Sequence, residues 1–200
     1  MSQQTPRARA IVWSDDFSGG KLDGWTIRGN FAAGKTLKTL DCPTCYQGLN
    51  VASHPSPIAY GTWSFDVYIS SALKPRMLIM FVSDCPPDMP PPADCEIHVY
   101  MLEVLEYSHT VLNLIKLTGR GDNQTPSDLA SYRATRDLSG WQHIDITRDT
   151  DGRFRVYLNR KLVMDVVDKS ITTSQNFAFL APGGKALNHI VVSKAIDVGL

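Results

Sequence analysis

Residues 140–166 read GWQHIDITRDTDGRFRVYLNRKLVMDV, and the pattern of this stretch decides the fold. Apolar residues alternate with polar ones at Ile144 and Ile146, and the alternation resumes at Phe154 after the pair Asp151-Gly152. Because successive side chains of a strand point to opposite faces of a sheet, this period of two predicts a pair of antiparallel strands. The Asp-Gly pair supplies the positive φ that a short connection between such strands requires. The segment is therefore predicted to form a hairpin that packs on a core through one face.

Strand signatures recur along the rest of the chain. A turn at residues 159–161 predicts a third strand through Val166, which extends the hairpin to a meander. Residues 76–83 are almost wholly apolar, as expected for a central strand covered on both faces. Residues 119–136 are polar and rich in turn-forming residues, and they are predicted to form a long loop. The other predicted strands cover residues 11–13, 62–69, 96–105, 111–117, 176–180 and 187–192.

Chain length and periodicity together indicate the fold class. No segment shows the period of an amphipathic helix longer than two turns, and 200 residues suit one large all-β domain. We therefore predict an all-β fold, a β-sandwich of two packed antiparallel sheets of the jelly-roll type. Residues 1–10 are expected to form a flexible N-terminal segment and residues 11–200 a single domain.

The charges of the chain are balanced, with 20 Lys and Arg residues against 20 Asp and Glu residues. No dense group of basic residues forms the positive stripe that nucleic-acid binding requires, so nucleic acid is not expected as a partner. No apolar run reaches the roughly 18 residues of a membrane-spanning helix. Residues 1–10 contain no hydrophobic segment typical of a signal peptide, so the sequence predicts no membrane anchor.

The four cysteines form two local pairs, Cys42 with Cys45 and Cys85 with Cys95. The first pair has a spacing that zinc sites use, but a zinc site would need a second close pair. Cys85 and Cys95 flank a proline-rich loop, which favours a disulfide that closes a rigid protrusion. A disulfide favours an extracellular location, whereas free or metal-bound thiols and the lack of a leader favour the opposite, so the compartment stays open.

Short motifs spread over nearly the whole chain carry a resemblance to a known fold. They are Asp15-Asp16-Phe17 with Trp25, and the segments at residues 61–67, 140–144, 154–159 and 188–192. In this order they resemble the concanavalin A-like lectin/glucanase superfamily, which includes laminin-G-like domains and the family 16 glycoside hydrolases. The resemblance implies that the last strand pairs beside the first, and it identifies a fold better than a function.

The resemblance also implies where catalytic carboxylates would lie. In family 16 hydrolases, the strand after the central apolar one carries Glu-x-Asp-x-Glu or a close variant, which places a nucleophile and an acid on one face. This chain has Glu96-Ile97-His98-Val99-Tyr100 at the comparable place, with the first carboxylate alone present. Glu103 and Glu106 are three residues apart and face opposite sides of an extended strand. The family's carboxylate pair is not intact, so the sequence leaves open whether the protein is an enzyme.

Glu96, His98 and Tyr100 are the candidate site residues, because a period of two places a carboxylate, an imidazole and a phenol on one face. There they could bind a glycan or another small ligand by hydrogen bonding and ring stacking, without covalent chemistry. In an enzyme of the same fold, a lyase, hydrolase or cyclase, they could act as acid and base in a concave cleft. They could also form an ordinary polar sheet face. We expect the lectin-like, carbohydrate-binding role, with the enzyme as one alternative and a structural module that self-assembles through its edge strands as another.

Carboxylates near both ends of the chain form a candidate metal site. Asp15, Asp16 and Asp197 could meet if the first and last strands are neighbours, and their hard oxygens suit calcium. The resemblance implies a possible structural calcium there, and the other interpretation is that these carboxylates are turn residues. No cofactor is otherwise required. Four tryptophans adjoin strand patterns that point inward and are predicted to lie in the core: Trp13, Trp25, Trp63 and Trp141.

Overall fold

The structure is a computed structural model that describes residues 10–34, 39–41, 50–69, 76–85, 94–106, 109–121, 123–136, 138–180 and 186–194. These ranges contain strands and no helix, and thus no helix that could cross a membrane. The strands are β1 Ile11–Asp15, β2 Thr26–Arg28, β3 Ala32–Gly34, β4 Thr39–Asp41, β5 Val51–Pro55, β6 Gly61–Ile69, β7 Arg76–Ser83, β8 Glu96–Glu106, β9 Thr110–Arg120, β10 Asn123–Arg133, β11 Gly140–Arg148, β12 Arg153–Leu158, β13 Lys161–Val167, β14 Asn176–Leu180 and β15 Ala186–Lys194.

The strands pair into two antiparallel sheets that form a β-sandwich, as predicted. The first sheet has the order β13-β12-β11-β6-β15-β4-β3, and β1 also pairs with β15. The second sheet has the order β10-β9-β8-β7-β14-β5-β2. The antiparallel pairing of β1 with β15 confirms that the first strand lies beside the closing strand. The apolar strand β7 lies inside the second sheet, between β8 and β14, as its pattern predicted.

The predicted meander is formed by β11, β12 and β13. Gly152 in the first turn has a φ of 76°, and a Cβ atom there would lie 2.6 Å from the carbonyl oxygen of Asp168. Asn159 and Arg160 form the second turn with φ values of 50° and 69°, the backbone geometry that tight hairpins prefer. The turn chemistry of the sequence therefore fixes both connections.

The main core lies between the two sheets. The inward set of the meander is fully buried: Ile144, Ile146, Phe154 and Val156. The ring of Phe154 packs edge-on against Tyr100 and Phe81 of the second sheet, with centroid distances of 4.8 and 6.1 Å. Each large apolar side chain buried in this way contributes about 1.5–3 kcal/mol to the free energy of folding. The interior assignment of these alternate positions is confirmed.

A second apolar cluster lies on the outer face of the second sheet. Its residues alternate along the strands with those of the main core, so they point away from the first sheet. Ile97, Val99 and Met101 of β8 belong to it and are buried. The disulfide between Cys85 and Cys95, which the sequence predicted, adjoins the same cluster. Cys42 and Cys45 lie outside the described residues.

The prediction of a long loop over residues 119–136 is wrong, because most of this segment forms β10. This strand pairs with β9 and lies at the edge of the second sheet. Most of its side chains are exposed or half-buried, so it lacks the apolar alternation by which a strand is recognised. An edge strand also tolerates Pro126, which has no backbone N–H to donate.

Candidate functional site

The predicted site residues Glu96, His98 and Tyr100 lie on the face of β8 that points toward the first sheet. Tyr100 is fully buried in the main core, whereas His98 is half-buried and Glu96 is exposed. The three side chains therefore run from the open margin of the sandwich into its interior. The outer face of β8 holds the second apolar cluster.

Glu96 and His98 are brought together at this margin, and Asp84 joins them. His98 Nε2 lies 3.6 Å from Glu96 Oε1, and His98 Nδ1 lies 3.3 Å from Asp84 Oδ2. The hydroxyl of Thr173 donates a hydrogen bond of 2.9 Å to Asp84 Oδ1. Asp84 follows the end of β7, outside any alternating pattern, so residue periodicity does not indicate its role. The group is an imidazole between two carboxylates.

Tyr100 belongs to a different polar network. Its hydroxyl donates to Asp168 Oδ1 and accepts a hydrogen bond of 3.2 Å from the backbone N–H of Ile171. Lys116 Nζ lies 3.0 Å from Asp168 Oδ2, and Ser170 donates to the same carboxylate from its backbone N–H and its hydroxyl. These contacts fix the connection between β13 and β14 against the second sheet. The hydroxyl of Tyr100 is thus occupied within the fold.

The electrostatics of this network follow from its burial and hydrogen bonds. Burial raises the pKa of Asp168, but the hydrogen bonds from Ser170, Tyr100 and Lys116 outweigh it and hold that pKa well below the usual range. Burial and the hydrogen bond to Asp168 raise the pKa of Tyr100. At neutral pH the pair is therefore a neutral phenol that donates to a carboxylate.

The aspartates predicted to bind calcium form local turn contacts. Asp15 accepts hydrogen bonds from the backbone N–H of Phe17 at 2.7 Å and from Trp25 Nε1 at 2.8 Å. Asp16 accepts one from the backbone N–H of Ser18 at 2.9 Å. Asp197 lies outside the described residues. Within the described ranges, no group of three or more His, Cys, Asp or Glu side chains could hold a metal ion, and calcium binding stays a prediction.

A second polar and aromatic surface lies on the outer face of the first sheet. Trp141 and Tyr68 are paired across β11 and β6, with ring centroids 5.4 Å apart and nearly perpendicular planes. They are 41% and 39% exposed, so the prediction that Trp141 belongs to the core is wrong. Trp141 has the opposite orientation to Gln142 and Ile144 on the same strand, and it therefore points to solvent. Trp25 and Trp63 are buried, as predicted, and Trp13 is partly buried against the core.

Next to this aromatic pair lies a hydrogen-bonded group on the same two strands. His143 is paired with Asp66, and its Nδ1 lies 2.6 Å from Asp66 Oδ1. Its Nε2 lies 3.3 Å from the hydroxyl of Ser64 and 3.4 Å from Asp145 Oδ1. All four side chains are partly exposed. We call this surface, made of Tyr68, Trp141, His143, Asp66, Asp145 and Ser64, the outer-face ladder.

Sequence reasoning missed the outer-face ladder because it depends on strand pairing. Asp66 and Tyr68 lie at alternate positions of the predicted strand 62–69, and His143 lies in the separate segment 140–166. The available signal was the alternation of the two segments, with Tyr68 near the end of one and Trp141 near the start of the other, the ends that meet in an antiparallel pair. Their register, however, joins residues more than 70 positions apart, and nothing local in the sequence specifies it.

No protein-family model matches the chain, and no curated protein matches it. Several solved structures do. The carbohydrate-binding module CBM66 from Bacillus subtilis is 19% identical, with a TM-score of 0.63 over 86% of this chain and 96% of that one. A protein of unknown function with a galectin-like fold from Bacillus subtilis is 13% identical, with a TM-score of 0.71 over 94% and 97%. A β-glucanase from Bacillus licheniformis is 8% identical, with a TM-score of 0.66 over 93% and 99%. At these identities the likeness shows the fold alone.

Proposed function

We propose that this chain, whose fold is that of the concanavalin A-like lectin/glucanase superfamily, binds a carbohydrate without covalent chemistry. The ligand lies across the outer-face ladder. Structures of the same fold include a carbohydrate-binding module and a β-glucanase, so sugar recognition is a role that this architecture supports.

One observation carries the proposal, namely the exposed pair of Trp141 and Tyr68 beside hydrogen-bonding side chains. Large exposed aromatic rings cost solvation free energy unless a ligand covers them, and the face of a sugar ring is a suitable cover. The polar edge of the same sugar needs hydrogen-bond partners within reach. Asp145 contacts His143 through Oδ1, so its Oδ2 can accept a hydrogen bond from a sugar hydroxyl.

The spacing of the ladder suits more than one sugar ring. Trp141, His143 and Asp145 are successive outward residues of β11, so the ladder extends about 13 Å along the strand. Its surface is open, because each of these side chains is partly exposed. The open surface of the outer-face ladder favours binding of an oligosaccharide over enclosure of a small substrate.

The proposal is tested by measuring the affinity of the protein and its Trp141→Ala variant for a panel of neutral oligosaccharides. We expect Trp141→Ala to weaken binding by about 2 kcal/mol, or roughly 30-fold, as for an aromatic residue that anchors an interface. The control is Leu162→Ala, which removes an apolar side chain of similar exposure from β13 and should leave affinity unchanged. Circular dichroism establishes that both variants are folded. Binding that survives Trp141→Ala would place the ligand elsewhere.

A second candidate function is catalysis at the margin of the sandwich. It is favoured by the contacts of His98 with Glu96 and Asp84, which could set the imidazole as an acid or base. Tyr100 takes no part in it, because its hydroxyl is bonded to Asp168. The test is the release of reducing ends or unsaturated sugars from a polysaccharide panel by the protein and by His98→Gln. Turnover that His98→Gln leaves unchanged would refute this assignment.

We further propose an extracellular or otherwise oxidising location. The disulfide between Cys85 and Cys95 supports it, because such bonds persist outside the reducing cytosol. The test is thiol counting on the freshly isolated protein, denatured in the presence of an alkylating agent. If Cys85 and Cys95 are found alkylated, the proposed location is refuted.

A further inference from the structure

A cleft of about 380 Å³ opens where three connections meet the end of β15. Residues 57–60 before β6 form one wall, and Thr150 of the β11–β12 turn forms another. Residues 172–174 before β14 and Lys194 complete it. Of the described lining residues, one is a lysine and none is a carboxylate. The cleft is separate from the outer-face ladder, with which it shares no residue.

Hydroxyl groups supply most of the polar lining. Thr173 donates to Asp84 and Ser174 donates to the backbone carbonyl of Asn176, so both are partly engaged. Thr150 and Thr172 are exposed at the cleft. Their hydroxyls can donate hydrogen bonds to oxygen atoms of a ligand.

A buried positive charge lies directly behind the wall. Arg148 is 1% exposed, its Nη1 donates to the carbonyl of Ala59 at 2.9 Å, and its guanidinium lies 4.6 Å from the ring of Tyr60. Both of these contact residues line the cleft. Its Nη2 donates to the carbonyl of Asp168 and to the hydroxyl of Tyr100, and its Nε has no described partner. Every group that Arg148 binds is therefore uncharged.

Three carboxylates lie near the cleft, and Asp84 among them accepts a hydrogen bond from Thr173 of the lining and lies 3.3 Å from His98 Nδ1. Asp149 lies 3.8 Å from Arg155, and the carboxylate of Asp168 binds Lys116 at 3.0 Å. Burial lowers the pKa of Arg148, and the nearby negative charges and phenols oppose that change. A charge held in a protein interior acts over a longer distance than one in water, since the interior screens it weakly. Arg148 therefore contributes positive potential at the wall of the cleft.

We propose that this cleft binds the anionic group, a carboxylate or a sulfate ester, of an acidic saccharide. Lys194 at the rim supplies an exposed ammonium group, and the hydroxyls of Thr150 and Thr172 orient the anion. Arg148 contributes its charge from behind Tyr60 and Ala59 without contacting the ligand. A neutral sugar is not attracted by these positive charges, so the cleft discriminates between acidic and neutral sugars.

The experiment compares ligands that differ in one group, methyl glucuronide with methyl glucoside and galactose 4-sulfate with galactose. Each is titrated into isotope-labelled protein, and the backbone amide shifts of Thr150, Thr172 and Lys194 are followed by NMR. We expect the acidic member of at least one pair to shift these amides at concentrations where the neutral member does not. Added salt should weaken the interaction, because exposed charges are screened.

Two lysine variants test whether Lys194 binds the acidic sugar. Lys194→Gln should weaken binding of the acidic sugar about fivefold, the upper range for a solvent-exposed ion pair. Lys161→Gln removes an equal charge from the start of β13 and should have no effect. Equal responses to acidic and neutral sugars, or equal losses in the two lysine variants, would overturn the proposal. Trp141→Ala should leave the cleft shifts intact, so a failure here is distinct from a failure of the outer-face ladder.

Discussion

Replacing Tyr100 by Phe removes one hydroxyl from the centre of a buried network and leaves the ring in place. The ring packs against Phe154 and Phe81, and Phe can keep both contacts. The hydroxyl donates to Asp168, accepts from the N–H of Ile171 and lies 3.4 Å from Arg148 Nη2. We predict that Tyr100→Phe lowers the free energy of unfolding by about 2.5–6 kcal/mol.

The magnitude is the sum of two effects. A hydrogen bond to an ionised group contributes about 1.5–3 kcal/mol, and Asp168 loses such a bond from Tyr100. The N–H of Ile171, a buried residue, loses its acceptor, and an unsatisfied buried donor costs about 1–3 kcal/mol. Arg148 Nη2 retains the carbonyl of Asp168 at 3.1 Å, so its loss is small. The total is a large part of the roughly 5–15 kcal/mol that stabilises a typical domain.

The assay is urea unfolding followed by tryptophan fluorescence, with Tyr132→Phe as the control. Tyr132 is half-buried at the edge of the core, and its substitution should change stability by less than about 0.5 kcal/mol. The double variant of Tyr100→Phe with Asp168→Asn should be less destabilised than the sum of the single variants, because both remove the same bond. A loss below about 1 kcal/mol in Tyr100→Phe would refute the assigned role of the hydroxyl.

Three further predictions concern acid and redox conditions. The pKa of Asp168 is lowered in the folded protein, so its charge stabilises the fold above about pH 4, the pKa of an unfolded aspartate. This stabilisation is lost as the pH falls toward the folded pKa. In Asp168→Asn, the free energy of unfolding should therefore depend less on pH in this range. Burial lowers the pKa of His54, whose ring stacks on Trp13 at 4.2 Å, so its neutral form stabilises the fold fully above about pH 6.5 and progressively less below it. His54→Phe should remove that dependence in urea titrations between about pH 6.5 and 5, and an unchanged slope would contradict it. Replacing both Cys85 and Cys95 by Ser should lower the free energy of unfolding by about 2.5–3 kcal/mol, as expected for a closed loop of about ten residues, with reduced wild-type protein as the comparison.

The sequence predicts the sandwich well wherever one face of a strand is buried. In β11 and β12 the apolar set recurs at every second residue, and the turns between them contain residues that accept positive φ. The same rule fails for β10, because an edge strand with exposed side chains needs no apolar alternation. Backbone pairing with β9 stabilises β10, and backbone hydrogen bonds do not require particular residue types.

The candidate sites depend on information that alternation does not contain. The pattern of β8 correctly separates Glu96, His98 and Tyr100 from Ile97 and Val99, but it does not state which set faces the other sheet. Residues of both sets are buried. Ile97 and Val99 belong to the apolar cluster on the outer face, and Tyr100 belongs to the main core between the sheets. The prediction for Trp141 is wrong for a related reason. A tryptophan at the end of a strand gives the same sequence signal whether its side chain points into the core or to solvent.

The contacts of one carboxylate on the outer face of β8 bear on the proposed binding role. A retaining glycosidase needs two carboxyl groups about 5 Å apart on the face that holds the substrate. On the outer face of β8 the residue that follows the apolar run is Glu103, and it is buried and bonded to Arg76 and to Asn113 Nδ2 at 2.8 Å. Both carboxylate oxygens of Glu103 are therefore engaged, Oε1 by Arg76 and Oε2 by Asn113. These contacts hold Glu103 within the sheet, which supports the proposal that the chain binds a sugar without cleaving it.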